Sequence, residues 1–202
     1  RSIYDGGGRF NSAFGSYSLF NTVGRYNSAF GSFSLNNIYS GNGNTAVGYY
    51  SLTSLAGGSY NSAFGDSSGS GLTSGSNNIT IGYFAQVPTS TANNQVRIGN
   101  TSITYAGIQV AWTVTSDRNL KSNILSSNLG LGFITKLRPV SYTRKNDEIG
   151  RTEYGLIAQE VEEALKEEGI ENAAMITVSD EGKYELRYNE LLAPMIKSIQ
   201  EL

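Results

Sequence analysis

The chain contains no cysteine and no histidine. The first absence excludes disulfides and thiolate metal sites. The second removes the usual zinc ligand and the commonest general base. No metal and no cofactor are therefore expected. No apolar run approaches the ~18 residues that span a membrane, and no signal-peptide pattern opens the chain. It starts on Arg1 rather than Met, as a fragment would. A net charge of −2 supplies no basic field for nucleic acid. Neither a membrane nor a nucleic acid is an expected partner. Lysine is missing too, until Lys121. Of 15 basic and 17 acidic residues, only six lie in 1–115: Arg1, Asp5, Arg9, Arg25, Asp66 and Arg97. Of 24 glycines, 18 lie there. So abrupt a shift marks a domain boundary near residue 116.

What the first part does have is a repeat. "NSAFG" occurs at 11–15, 27–31 and 61–65, "NTAVG" at 44–48, and looser copies at 78–82 and 95–99. The closing glycines, Gly15, Gly31, Gly48, Gly65, Gly82 and Gly99, are spaced by 16, then 17 four times. A fixed period of this size marks a stacked architecture. Each unit reads as two short strands, the second being "SYSL", "SFSL" or "YYSL", joined by Gly, Asn and Ser turns. Stacking forms one ladder of Phe14, Phe30, Val47, Phe64, Ile81 and Ile98, expected to bury bulk in the roll or in an interface between copies. A second ladder of Ala13, Ala29, Ala46, Ala63, Thr80 and Arg97 faces the other way. Arg97 breaks the small ladder, so the roll should end near it. A sugar-binding aromatic platform is the competing use of the Phe and Tyr residues. Two apolar faces need a partner, and a symmetric homotrimer is the economical answer, with a dimer the competing one.

The predicted layout is a leader over 1–10, a parallel β-roll of 16–17-residue coils over 11–99, a connecting β segment over 100–115, and an α+β domain over 116–202. In that last domain "LRPVSYTRK" at 137–145 alternates like a strand, and "EYGLIAQEVEEALKEEG" at 153–169 reads as an amphipathic helix. Ile157, Val161 and Leu165 would share its buried face, and Gly169 would stop it. "MITVSDEGKYELRY" at 175–188 reads as a hairpin turning at Asp180–Gly182. At the end, Tyr188, Leu192, Met195, Ile199 and Leu202 form a heptad seam. The alternative is one stripe packed on its own domain. Pro194 should kink the last helix or sit in its first turn.

Lys121 follows Ser116 by five residues. A serine nucleophile needs a base, and without histidine lysine is one of few candidates, provided it is neutral. On one continuous helix the two would not share a face, so a turn is required. Asp117 could cap a short helix starting at Arg118.

The repeats at 11–99 resemble the Asn-x-Ala-x-Gly coils of trimeric adhesin heads, which form left-handed parallel β-rolls. "SDRNLKSNI" at 116–124, "LRPVSYTRK", "YGLIAQEVEEAL" at 154–165 and "YNELLAPMIKSIQEL" at 188–202 together resemble the C-terminal intramolecular chaperone domain of endosialidases and phage tail fibres. That resemblance implies trimerisation by the chaperone, alignment of the fibre strands, and release by cleavage at Thr115–Ser116. Ser116 would be the nucleophile and Lys121 the base of a single-turnover autoprotease. Asp117, Gln159 and Glu160 would give support. The location implied is a phage tail or a bacterial surface. The alternative is an uncleaved adhesive tip that binds a cell-surface glycan or protein. An enzyme acting on external substrate lacks paired carboxylates. A transcription factor of the myelin-regulatory type, which shares the module, lacks a basic patch.

Overall fold

Asparagine, alanine and glycine recur at fixed places in the repeat, and each place has one job. In a computed structural model of the chain, which describes residues 10–202, each coil contributes one three-residue strand. These are β1 (Ser12–Phe14), β2 (Ser28–Phe30), β3 (Thr45–Val47), β4 (Ser62–Phe64), β5 (Ile79–Ile81) and β6 (Val96–Ile98). They form one six-stranded parallel sheet in sequence order. The register pairs like with like, for example Ala13 with Ala29 and Ala29 with Ala46. The expected leader, apart from Phe10, lies outside the described residues.

The asparagine opening each motif is buried, and its amide ties one coil to the next. Asn27 Oδ1 accepts from the Asn44 backbone N–H at 2.9 Å and from Asn44 Nδ2 at 3.1 Å. Asn44 Nδ2 also donates to Gly58 O at 2.9 Å. Asn61 repeats the pattern with Asn44 and Gly75, and Asn78 with Asn61 and Ala92. Asn11 starts the ladder, accepting from Asn27 N, and the Gln95 N–H ends it on Asn78 Oδ1. Among the described residues no buried side-chain N or O lacks a hydrogen-bond partner. That matters because an unmatched buried amide costs more than a made bond gains.

Two expectations about the coil are corrected. First, the Phe14–Ile98 ladder does not fill the roll. It lies on the outside, with Phe14 76% exposed and Ile98 63% exposed. The alanine column is inside: Ala29, Ala46 and Ala63 are fully buried against Leu19, Leu35, Leu52, Ile38, Leu55 and Leu72. Successive coils also lie close together. Gly31 has φ +134°, and a Cβ there would fall 2.6 Å from Gly48 O. Methyl groups opposite leucines fit this spacing.

Second, the run after the glycine is not a strand. Tyr17 and Leu19, Phe33 and Leu35, and Tyr50 and Leu52 all have left-handed φ between 47° and 58°. Alternate left-handed residues turn the chain while still sending side chains to opposite sides. The leucines go in. Tyr17, Phe33 and Tyr50 stack outside at 5.2 and 5.0 Å between centroids, so the faces of the middle ring are covered by its neighbours. Arg97 is the middle residue of β6, the last strand, where its Nε donates to Gln86 O at 3.1 Å.

The chain divides into two compact units: one of residues up to Ile103 with Ser179–Glu181, and one of Thr104–Val178 with Gly182–Leu202. In the second unit, residues 104–115 form no strand. The connecting β segment is thus corrected to exposed, unpaired chain. Its four alternate apolar residues, Ile108, Val110, Trp112 and Val114, all face solvent. A strand needs a ladder partner, and the described residues offer it none.

The rest is α+β. Helix α1 (Leu131–Ile134) precedes an antiparallel pair, β7 (Val140–Thr143) and β8 (Thr152–Gly155). Then come helix α2 (Ala158–Glu167) and the hairpin β9 (Ile176–Val178) and β10 (Tyr184–Leu186). A 3₁₀ turn (Tyr188–Leu191) leads into helix α3 (Leu192–Glu201). The core is Phe133, Val161, Ala164, Leu165, Met175 and Leu191. The helix expected over 153–169 starts late, because Thr152–Gly155 pairs with β7 instead. Ile157 is only the cap and stays partly exposed, while Val161 and Leu165 are buried. Gly169 ends α2 with φ +75°, and Gly182 turns the hairpin with φ +74°. Pro194 sits in the first turn of α3, where its missing N–H is not needed.

Replacing Asn61 by alanine removes the partners of Asn78 and of Gly75 O, and should destabilise the roll by roughly 3 kcal/mol. Asn37→Ala, on an exposed side chain, should change stability by less than about 0.5 kcal/mol. Denaturant unfolding of the two variants beside the parent chain measures both.

Candidate active site

Ser116 and Lys121 are drawn together by one tight turn. Asp117 is extended, with φ −64° and ψ 134°, and caps the 3₁₀ turn Arg118–Leu120. Its carboxylate accepts from Asn119 N at 2.8 Å. The Leu120 N–H donates to Asp117 O and the Lys121 N–H to Arg118 O, at 3.2 and 3.1 Å. Lys121 then leaves in extended geometry, φ −120° and ψ 144°. The result places Lys121 Nζ 2.6 Å from Ser116 Oγ. The turn that the five-residue spacing requires, with Asp117 as its cap, is therefore present.

In this geometry the lysine donates to the serine. To act as base it must be neutral, which calls for burial or a neighbouring cation. Within a single chain both side chains are exposed, as is every residue from Thr101 to Asn128. Thr115, on the carbonyl side of the bond preceding Ser116, shares that exposure. Gln159 and Glu160 are not brought to the pair. Gln159 is exposed on α2. Glu160 binds the Arg138 guanidinium, with Arg138 Nε 3.1 Å from Oε2 and Nη2 on Oε1, so it braces α2 against the chain entering β7. No group of three or more acidic residues among the described residues could hold a metal. No helix among them is long and apolar enough to cross a membrane.

The C-terminal seam lies away from the domain. Leu192, Met195, Ile199 and Leu202 are all exposed, with Ile196 beside them. The reading in which this stripe packs on its own domain is thus replaced: α3 buries Pro194 and Ser198 instead, and packs against α1. An unforeseen contact fixes α3 there. Glu201 Oε2 accepts from the Leu131 backbone N–H at 2.6 Å, and Lys197 pairs with Glu201 at 3.1 Å. Nothing in local spacing links residue 201 to residue 131. The exposed stripe at 108–114, by contrast, was visible as alternation.

A parallel roll is followed by an α+β domain that opens on a serine–lysine pair. Residues 116–170 match the Peptidase S74 family, described as chaperone of endosialidase, and the match opens on Ser116 itself. No curated protein and no solved structure matches the chain. The chain therefore carries a β-roll followed by an α+β domain that is similar, over residues 116–170, to the chaperone of endosialidase.

Leu131 N–H, with Lys197 behind it, holds the Glu201 carboxyl below the usual carboxylate range. A depressed carboxyl stabilises the fold above its unfolded-state value and loses that contribution as pH falls through the folded one. At neutral pH Glu201→Gln should therefore melt below the parent chain. The gap should close as pH falls below the ordinary glutamate range of about 4.3. Thermal melts across pH on the two proteins read this difference directly.

Proposed function

We propose that this chain is the distal part of a trimeric fibre whose C-terminal domain is an intramolecular chaperone that joins three copies, sets the register of their rolls and then cuts itself free. The observation that carries the reading is the 2.6 Å contact between Lys121 Nζ and Ser116 Oγ at the first residues of the chaperone match. The chemistry is self-contained. Ser116 Oγ attacks the Thr115 carbonyl carbon, the C–N bond breaks, and the Ser116 amine takes up a proton. Lys121 accepts the hydroxyl proton. Water then cleaves the ester, leaving a Thr115 carboxylate and restoring the Ser116 hydroxyl. One turnover ends the activity.

Self-association is supported by three apolar surfaces that the single chain leaves open: the Phe14–Ile98 ladder, the 108–114 stripe and the α3 seam. Register is the reason for a chaperone. Coils of one period pair one step out at little cost, and non-local parallel pairing is slow. A non-repeating end fixes the register once. Its removal then makes unfolding hard to reverse. The phage-tail or cell-surface location rests on the same chaperone match.

Exposed tyrosines favour a second reading. Tyr39, Tyr60 and Tyr83 each stand about 70% clear of the roll. In that reading the domain stays attached and the fibre tip adheres to a surface glycan or protein.

Intact-mass analysis of the purified chain should find fragments that end at Thr115 and begin at Ser116. Ser116→Ala and Lys121→Arg should both give one full-length species, because arginine cannot shed its proton. Full-length protein only, in the parent chain as well, would overturn self-cleavage and leave the adhesive reading. For assembly, light scattering should find three chains per particle for Ser116→Ala. Adding Ile199→Lys should yield smaller species, while a monomeric Ser116→Ala would defeat the trimer.

A further inference from the structure

Asp117 sits beside the bond to be cut, where a carboxylate invites a direct chemical role. The geometry assigns it another. We infer that Asp117 is a positioning residue: it caps the 3₁₀ turn that carries Lys121 back onto Ser116, and its charge takes no part in the cut. The inference rests on the self-cleavage reading above and concerns the same pair.

Several observations agree. The carboxylate is engaged along the chain, accepting from Asn119 N at 2.8 Å. It forms no ion pair with Lys121, whose Nζ is bonded to Ser116 Oγ instead. That separation is chemically necessary. A carboxylate against Nζ would favour the ammonium form and oppose the loss of the proton that a base must shed. The turn is also the only regular structure between residues 99 and 130 among the described residues. With no other scaffold nearby, its cap decides whether the five-residue span closes. The extended backbone of Asp117 and the extended exit at Lys121 complete the loop, so each end of the span points its side chain to the same side. Arg118, Asn119 and Leu120 form the turn itself and are exposed. They reach neither reacting side chain through a hydrogen bond.

A cap needs an oxygen acceptor, not a charge. Asparagine caps as well as aspartate, and alanine does not. The two substitutions therefore separate the roles. Cleavage of the full chain would be followed by intact mass after synthesis is stopped. Asp117→Asn should cut at the parent rate within about twofold, while Asp117→Ala should cut roughly fivefold more slowly, the usual effect of a lost cap. If Asp117→Asn is as slow as Asp117→Ala, the charge is required and the positioning role fails. It fails equally if Asp117→Ala cuts at the parent rate.

A second measurement does not depend on cleavage. In the Ser116→Ala background, the nuclear Overhauser contact between the methyl at position 116 and the Lys121 side chain should persist with Asp117→Asn and vanish with Asp117→Ala. Persistence in Asp117→Ala would overturn the inference. If that pattern holds but the parent chain never cuts, the positioning role stands and the self-cleavage reading alone falls.

Discussion

The roll depends on one rule: the buried amide of each asparagine is satisfied only by the coil beside it. Asn44 takes its donors and acceptors from Asn27, Asn61 and Gly58, so no coil completes its hydrogen bonding alone. Such bonds are strong requirements in a narrow apolar interior, because leaving one open costs more than making it gains. The rule fixes the spacing between coils. It also permits the left-handed residues, each of which costs about 1–2 kcal/mol in isolation, since the stacked ladder holds them. The close approach of glycine to glycine follows, and so does the choice of alanine for the interior.

The same rule leaves register weakly specified. A ladder of identical rungs is satisfied by any rung of the right kind, so its specificity for one register is low. Residues 116–202 have no repeat, and their core gathers Phe133 from α1, Val161 and Leu165 from α2, and Met175 from the chain before β9. Glu201, bound to the start of α1, holds the last helix so that its apolar stripe stands outward. Three apolar surfaces stay exposed on the single chain, the kind of patch that marks an interaction site.

Much of this could be read in advance, and the misses have physical causes. The period, the turn at Asp117 and the helix end at Gly169 all follow from residue types with narrow conformational ranges, whereas the compact units divide after Ile103 rather than at residue 116. Which ladder lies inside did not follow. Alternation says that Ala29 and Phe30 face opposite ways, and hydrophobicity favours burying the ring. What decides it is the filling of the interior by Leu19, Leu35 and Leu52, against which Ala29, Ala46 and Ala63 pack. The left-handed turns were hidden because tyrosine and leucine are ordinary strand formers. Their columns do carry the signal. The place held by Tyr26 and Tyr60 is held by Gly43, Asn77 and Asn94 in other coils, and Leu52 is followed in its column by Gly69. Comparing coils, rather than reading along one, exposes a backbone that only glycine and asparagine adopt readily. The pair Ser116 and Lys121 was legible as spacing, but the contact itself depends on the cap. The anchor from Glu201 to Leu131 joins places 70 residues apart, beyond the reach of local pattern.

The first spacing in the roll is 16 residues and the others are 17, yet Asn11 meets Asn27 through the same bond that joins the later rungs. The loop absorbs the missing residue and the backbone bond of the rung is kept, without the amide-to-amide bond of the later rungs. Length in such a roll therefore comes in steps. A coil can be gained or lost whole, between one asparagine and the next, and the remaining chain closes on identical contacts. A cut at any other phase leaves a rung unfilled. The length of such a roll is a count of coils, adjustable by duplication.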